Sequence, residues 1–253
     1  MTELAAVDVV AAATQLMRAA QWDAATSLLA GTRTDDPGER LALAVARAVV
    51  AIDQDFWQRT DHGQAALTAA KQLLDGSPEP AWDLEFAAFR RDYSAVAFTS
   101  AKEPGDLRAR SLRLIESAPD EARQAAISFW AGVLADNVLD EPEAAYGYYT
   151  SALQLGEKSG DELTMSYALR HLGDHAHTAG DLELARAHWE RSTELRQKAG
   201  HVPGALAQQT LLALLLRDED DAEGSRAVAT EVNRWARQLD LQFIAAETAG
   251  LST

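Results

Sequence analysis

Shifted by 40 residues, the second half of this sequence falls on itself at the positions that decide how helices pack. GEKSGD at 156–161 lies over RQKAGH at 196–201, which sets Lys158 over Lys198 and Gly160 over Gly200. Ala145, Ala185 and Ser225 coincide, as do Tyr149, Trp189 and Ala229, then Ala152, Ser192 and Val232, then Leu155, Leu195 and Trp235. Upstream, Phe129 meets Leu169, Gly132 meets Leu172 and Leu212, and Val133 meets Gly173 and Ala213, while the acidic residues Glu141, Asp181 and Asp221 recur in the turns. Such a recurrence has a physical origin. Two short antiparallel helices cannot bury their apolar faces alone, so pairs must stack, and each stacked pair repeats the same small and large positions. Gly173 and Ala185 are expected to let the helices of one pair approach, with Tyr149 and Trp189 filling the wedge to the next pair.

Between its breakers the chain carries apolar residues three and four apart and is dense in Ala, Leu, Glu and Arg, with almost no alternating β-branched runs, so it is expected to be all-α. Breakers stand at Thr34 to Gly38, Gly76 to Pro80, Lys102 to Asp106, Asp140 to Pro142, Gly160-Asp161, Gly180-Asp181 and Gly200. They cut the chain into helices of roughly 10 to 20 residues, opened by acidic or hydroxyl caps and closed by Gly or Pro.

The unit 166–197 resembles a tetratricopeptide repeat (TPR). Leu169, Leu172-Gly173, Gly180-Asp181, Ala185, Trp189 and Ser192 fill the bulky, Leu-Gly, turn, small, aromatic and small places of that pattern. Ala176 departs from it where an aromatic is usual, Ser192 stands for the usual Ala, and the period of 40 exceeds the common 34, like the variant found in bacterial regulatory and signalling scaffolds. The resemblance implies a right-handed superhelical array of antiparallel pairs, a TPR-like α-solenoid. It divides into degenerate N-terminal repeats over 1–118, three clear repeats over 119–160, 161–200 and 201–240, and a C-terminal capping helix with its tail over 241–253. Near the start, AQWDAATSLL at 20–29 places Trp22, Ala25 and Leu29 at turn, small and bulky positions, and four further helices between 38 and 118 complete about six pairs.

The resemblance also implies that the first helix of each pair lines a concave groove for a protein segment or peptide. Its groove places fall on Tyr167, Arg170, Asp174, His177 and Thr178. One period back they fall on Ile127, Trp130, Leu134, Asn137 and Val138, and one period on, on Ala207, Thr210, Leu214, Arg217 and Asp218. Trp130 beside Arg170, His177 and Arg217 would suit a segment with one apolar residue and a carboxylate, since Trp and Arg are frequent interface anchors.

The formal net charge of −16 argues against nucleic acid as a partner, because such a surface repels phosphate backbones. The chain has no cysteine, which removes disulfides, thiolate nucleophiles and Cys-based zinc sites and fits a reducing compartment. No run of about 18 uninterrupted apolar residues predicts a membrane span. Glu3 and Asp8 stand where a secretory leader has basic and apolar residues, so a cytoplasmic location is expected.

Residues 169–192 concentrate four of the six histidines, His171, His175, His177 and His188, around Asp174 and Asp181. His171 and His175 share one helical face and could chelate a divalent metal. A third ligand is hard to find, for the HExxH and Glu-x-x-His patterns are both missing. No Gly-x-Ser-x-Gly and no phosphate-cradling loop occurs, and the run Asp218 to Asp221 lacks the Gly and terminal Glu of a helix-loop-helix calcium site, so it is expected to cap a helix. The expectation is therefore a non-enzymatic interaction scaffold without a cofactor. Two alternatives remain open: a signal-sensing regulator that binds a small molecule or signal peptide, and a helical metalloprotein using His171 and His175.

Overall fold

The computed structural model describes residues 5–98 and 103–251; Glu3 of the leader expectation and Lys102 of the third breaker lie outside them. Among the described residues the chain forms thirteen helices and no strand, so the protein is all-α as the periodicity predicts. Two compact units divide it: Met1–Pro119 with Asn137–Leu139, and Asp120–Asp136 with Asp140–Thr253.

The first unit holds α1 (Ala6–Arg18), α2 (Trp22–Gly31), α3 (Pro37–Gln58), α4 (Gly63–Lys71), α5 (Pro78–Ala97) and α6 (Leu107–Glu116). α1 packs on α2 and α3, α3 on α4 and α5, and α5 on α6. Trp22, Ala25 and Leu29 are all buried, and Ala44, Ala48, Ile52, Leu67 and Leu84 join α3, α4 and α5 in one apolar cluster. One buried charge is built into this unit. The Trp22 indole donates to Asp53 at 2.8 Å, and the Arg90 guanidinium stands 3.5 Å from the same carboxylate, tying α2, α3 and α5 together. Burial pushes the Asp53 carboxyl up, against the opposing charge of Arg90.

The second unit holds α7 (Glu121–Asn137), α8 (Pro142–Ser159), α9 (Glu162–Thr178), α10 (Leu182–Lys198), α11 (Val202–Asp218), α12 (Ala222–Gln238) and α13 (Gln242–Ala249). Its turns repeat every 20 residues: Asp140, Gly160, Gly180, Gly200, Asp220 and Asp240 all have φ between 54° and 81°. After the four central turns comes a side-chain cap. Asp161, Asp181, His201 and Asp221 accept from the backbone N–H three residues on, at 2.9 to 3.1 Å, and so satisfy an orphan donor of the helix that follows. Helices of 17 residues with short turns thus generate the 40-residue period of a pair. The cap at Asp221 is what the acidic run at 218–221 contributes.

Inside a pair, a glycine meets an aromatic ring. A Cβ on Gly173 would come within 2.3 Å of the Trp189 indole nitrogen, and one on Gly132 within 2.5 Å of the Tyr149 ring. Only glycine admits these rings at such an approach. Trp189 also clusters with Ala176, Ala185 and Leu215, so it reaches from its own pair into α11, as the wedge expectation requires.

The equivalence of Gly132 with Gly173 shows that the shift in α7 is 41 residues rather than 40. In the α7–α8 connection the Glu141 N–H bonds Ala135 O, six residues back, whereas Asp161, Asp181, His201 and Asp221 each bond the carbonyl five back. One extra residue in that turn displaces the α7 register by one.

Candidate functional site

On α9, Tyr167, Arg170, Asp174 and His177 are half-exposed and Thr178 is exposed, all on one helical face. Arg170 Nη1 donates to Asp174 Oδ2 at 2.8 Å. His177 Nε2 lies 3.0 Å from Asp218 Oδ2 on α11, whose other oxygen accepts from Arg217 at 2.9 Å. Toward α7, the Tyr167 ring stacks on Phe129 with centroids 5.1 Å apart. The second unit therefore presents a connected strip running from Phe129 through α9 to Arg217, with Leu214 half-exposed beside it.

Several expected groove residues leave this strip. Leu134 and Thr210 are each 1 % exposed, and the Thr210 hydroxyl turns back on Leu206 O, so neither is open to a partner. The one-residue displacement of α7 accounts for Leu134 and also moves Trp130. By the 41-residue correspondence Trp130 stands at the place of His171, half-buried with its ring edge-on to Phe129, and Asp136 takes the place of His177. Asn137 stands at the place of Thr178 but belongs to the first unit, within which its amide donates to the Tyr93 hydroxyl at 2.8 Å.

The histidines disperse instead of converging. His171 is 9 % exposed and stacks on Tyr149 at 4.7 Å, with Nδ1 3.6 Å from Asp174. His175 faces Asp136 at 3.4 Å, where Tyr149 OH also bonds, and His177 turns to Asp218 over the Trp189 ring. Among the described residues, no three His, Asp or Glu are grouped to hold a metal ion. Burial, with Arg170, Arg196 and His175 nearby, holds the His171 imidazole well below its ordinary range and keeps it neutral.

A buried cation, Arg196, lies outside every pattern drawn from the spacing. Arg196 is 3 % exposed, donates to Gly204 O at 2.8 Å and lies 4.9 Å from the Tyr167 ring centroid, while Tyr167 OH meets His201 Nε2 at 3.2 Å. Burial lowers the Arg196 guanidinium to about 10. The visible signal was the shift of 40 itself, which sets Arg196 over Gly156 and His201 over Asp161.

No protein-family model matches this chain, and no curated protein is similar to it.

Charge on the strip is unbalanced. Both arginines are engaged by carboxylates, Arg170 by Asp174 and Arg217 by Asp218. Burial raises the Asp174 carboxyl despite Arg170, with Asp136 adding to the effect. Glu247 on α13 stands two periods beyond Tyr167, and burial raises it too, with Arg170 and Asp174 as the charges it senses. Since α13 packs on α11 and α12, it takes the position of the first helix of a further pair. The strip offers Asp136, Asp174, Asp218 and Glu247 to only two guanidinium groups. It lacks cation, not anion.

Proposed function

We propose that this protein is a non-enzymatic, TPR-like helical-repeat scaffold of the cytoplasm, a right-handed superhelical array whose inner helices α7, α9 and α11 bind a basic protein segment. The observation that carries the repeat reading is the 20-residue cadence of left-handed turns and capping side chains, combined with the Gly132–Tyr149 and Gly173–Trp189 approaches. The inner strip then corresponds to the face on which such repeats hold ligands. A basic segment fits better than the carboxylate-bearing one suggested by the arginines alone. Arg170 and Arg217 are already neutralised in place, and burial raises the carboxyls of Asp174 and Glu247 against the charge of Arg170, so a further cation brought beside them would favour their charged forms.

Affinity capture from source cells tests this, comparing wild type with Asp174→Asn/Glu247→Gln. The expected result is a partner recovered by the wild type and depleted by the double variant at unchanged helicity. Equal recovery by both proteins would place the contact elsewhere.

A further inference from the structure

We propose that the first unit carries a second binding site, a cleft along α6 that takes an acidic peptide segment bearing an apolar side chain. Two adjoining recesses form it, of about 310 Å³ and about 280 Å³, and they share Glu85, Arg110 and Arg113 as a common wall. Residues 106, 110 and 113 line the first and 110, 113, 114 and 117 the second, a spacing that keeps all of them on one face of α6. From Asp106 to Ser117 that face is about 16 Å long. This length matches about five residues of extended peptide and exceeds a compact metabolite.

The first recess is basic. Lys71, Arg91, Arg110 and Arg113 face Glu85, Asp92 and Asp106, an excess of cation in a chain of net charge −16. Arg110 is fully engaged, donating to Glu85 at 2.8 Å and Asp92 at 2.7 Å, which makes it a rigid wall. Arg91 is held by Asp92 at 2.7 Å. Among the described residues Lys71 makes no ion pair, and Arg113 reaches only Asp106, at 3.9 Å with both side chains more than half exposed. These two cations are available to an incoming carboxylate, and their weak present engagement keeps the desolvation cost of exchange small. The second recess is apolar, lined by Pro78, Trp82, Leu114 and Pro119, with the Trp82 indole anchored on Leu114 O at 3.1 Å. A pre-anchored aromatic next to a basic lip receives an apolar side chain and a carboxylate in sequence.

Fluorescence anisotropy on the full chain tests the site with fluorescein-labelled peptides DEDALF, KRKALF and DEDAAA. Saturable binding of DEDALF is expected on the order of 10 to 100 μM at low salt. Lys71→Glu/Arg113→Glu should weaken it by about tenfold or more, and added salt should do the same. KRKALF should not displace DEDALF, and DEDAAA should bind more weakly. The exposed Lys71→Ala/Arg113→Ala pair repeats the comparison should charge reversal disturb folding, and Arg170→Ala/Arg217→Ala should leave DEDALF binding unchanged. The proposal is overturned by no saturation below about 1 mM, by equal affinity in the Lys71/Arg113 variants, by loss of binding in the Arg170/Arg217 variant, or by competition from inorganic phosphate or citrate at the affinity of the peptide.

Discussion

The Trp189 indole lies directly over Gly173, and its N–H donates to the Arg170 carbonyl at 2.9 Å, so one side chain closes a helix pair both by contact and by hydrogen bond. Trp189 is 2 % exposed and extends to Leu215 on the following pair. Trp189→Ala would leave a cavity between α9, α10 and α11, and a loss of about 3 to 5 kcal/mol is expected. Gly173→Ala should cost about 1 to 3 kcal/mol by overpacking the same contact. Thermal or urea unfolding followed by circular dichroism measures both, and a wild-type midpoint in Trp189→Ala would mean that the ring is not a packing wedge.

This contact was legible in the sequence because a repeat multiplies its own signal: a small residue, a turn and an aromatic recur at one spacing, and only stacked helix pairs need that. What the spacing could not reveal was the extra residue between Asn137 and Pro142. The turn keeps its acidic and left-handed character at Asp140 with or without it, so nothing in composition marks the slip. Its consequence is large. Displacement by one residue turns a helix face by about 100°, which is why Leu134 sits inside and Asp136, rather than Asn137, stands at the place of His177. In the first unit the helices were legible from their periodicity, but the Trp22–Asp53–Arg90 contact joins residues with no recurring equivalents and carried no pattern.

That buried contact gives a stability prediction. Asp53→Ala removes the acceptor of the Trp22 indole and the counter-charge beside Arg90, and breaking a buried pair from one side costs about 3 to 5 kcal/mol. Asp53→Asn keeps an acceptor for Trp22 and should cost less. Chemical denaturation of both variants distinguishes the cases, and equal losses would show that the hydrogen bond contributes nothing beyond charge.

Acid should weaken the second unit through His171. Its folded imidazole is held below the unfolded value of 6.5, so the unfolded chain binds the proton more readily. The stability it contributes is present above pH 6.5 and is lost as the pH falls from there toward the folded value. His188 shifts in the same direction through burial, whereas Asp174, raised above 3.8, acts oppositely at lower pH by favouring the folded state as it protonates. The wild-type melting temperature is expected to fall between about pH 7.5 and about pH 5.5, and to fall less in His171→Gln. A drop of the same size in the variant would assign the acid response to other groups.

Metal analysis addresses the histidines directly. His171 is engaged with the Tyr149 ring and His175 faces Asp136, so purified protein is expected to carry no stoichiometric zinc, nickel or iron that His171→Ala/His175→Ala removes. Metal at one equivalent in the wild type and lost in the double variant would restore the metalloprotein reading.

The sign of one substitution separates a basic from an acidic partner on the inner strip. Arg170 now neutralises Asp174 from inside the protein at 2.8 Å, and its peptide carbonyl, not its side chain, holds Trp189. Arg170→Ala therefore leaves the packing wedge in place and releases a carboxylate that burial has already raised. A basic segment would then find an unpaired acid where an internal cation competed before, and its affinity should rise several-fold, whereas Asp174→Asn should lower it by about three- to tenfold. Added salt should weaken both interactions, since the attraction is carried by partly exposed charges. An acidic segment would respond the other way, losing affinity with Arg170→Ala and gaining with Asp174→Asn. Titration of the captured partner against both variants, with helicity checked by circular dichroism, reads the sign directly, and weaker binding to Arg170→Ala would overturn the assignment of a basic ligand.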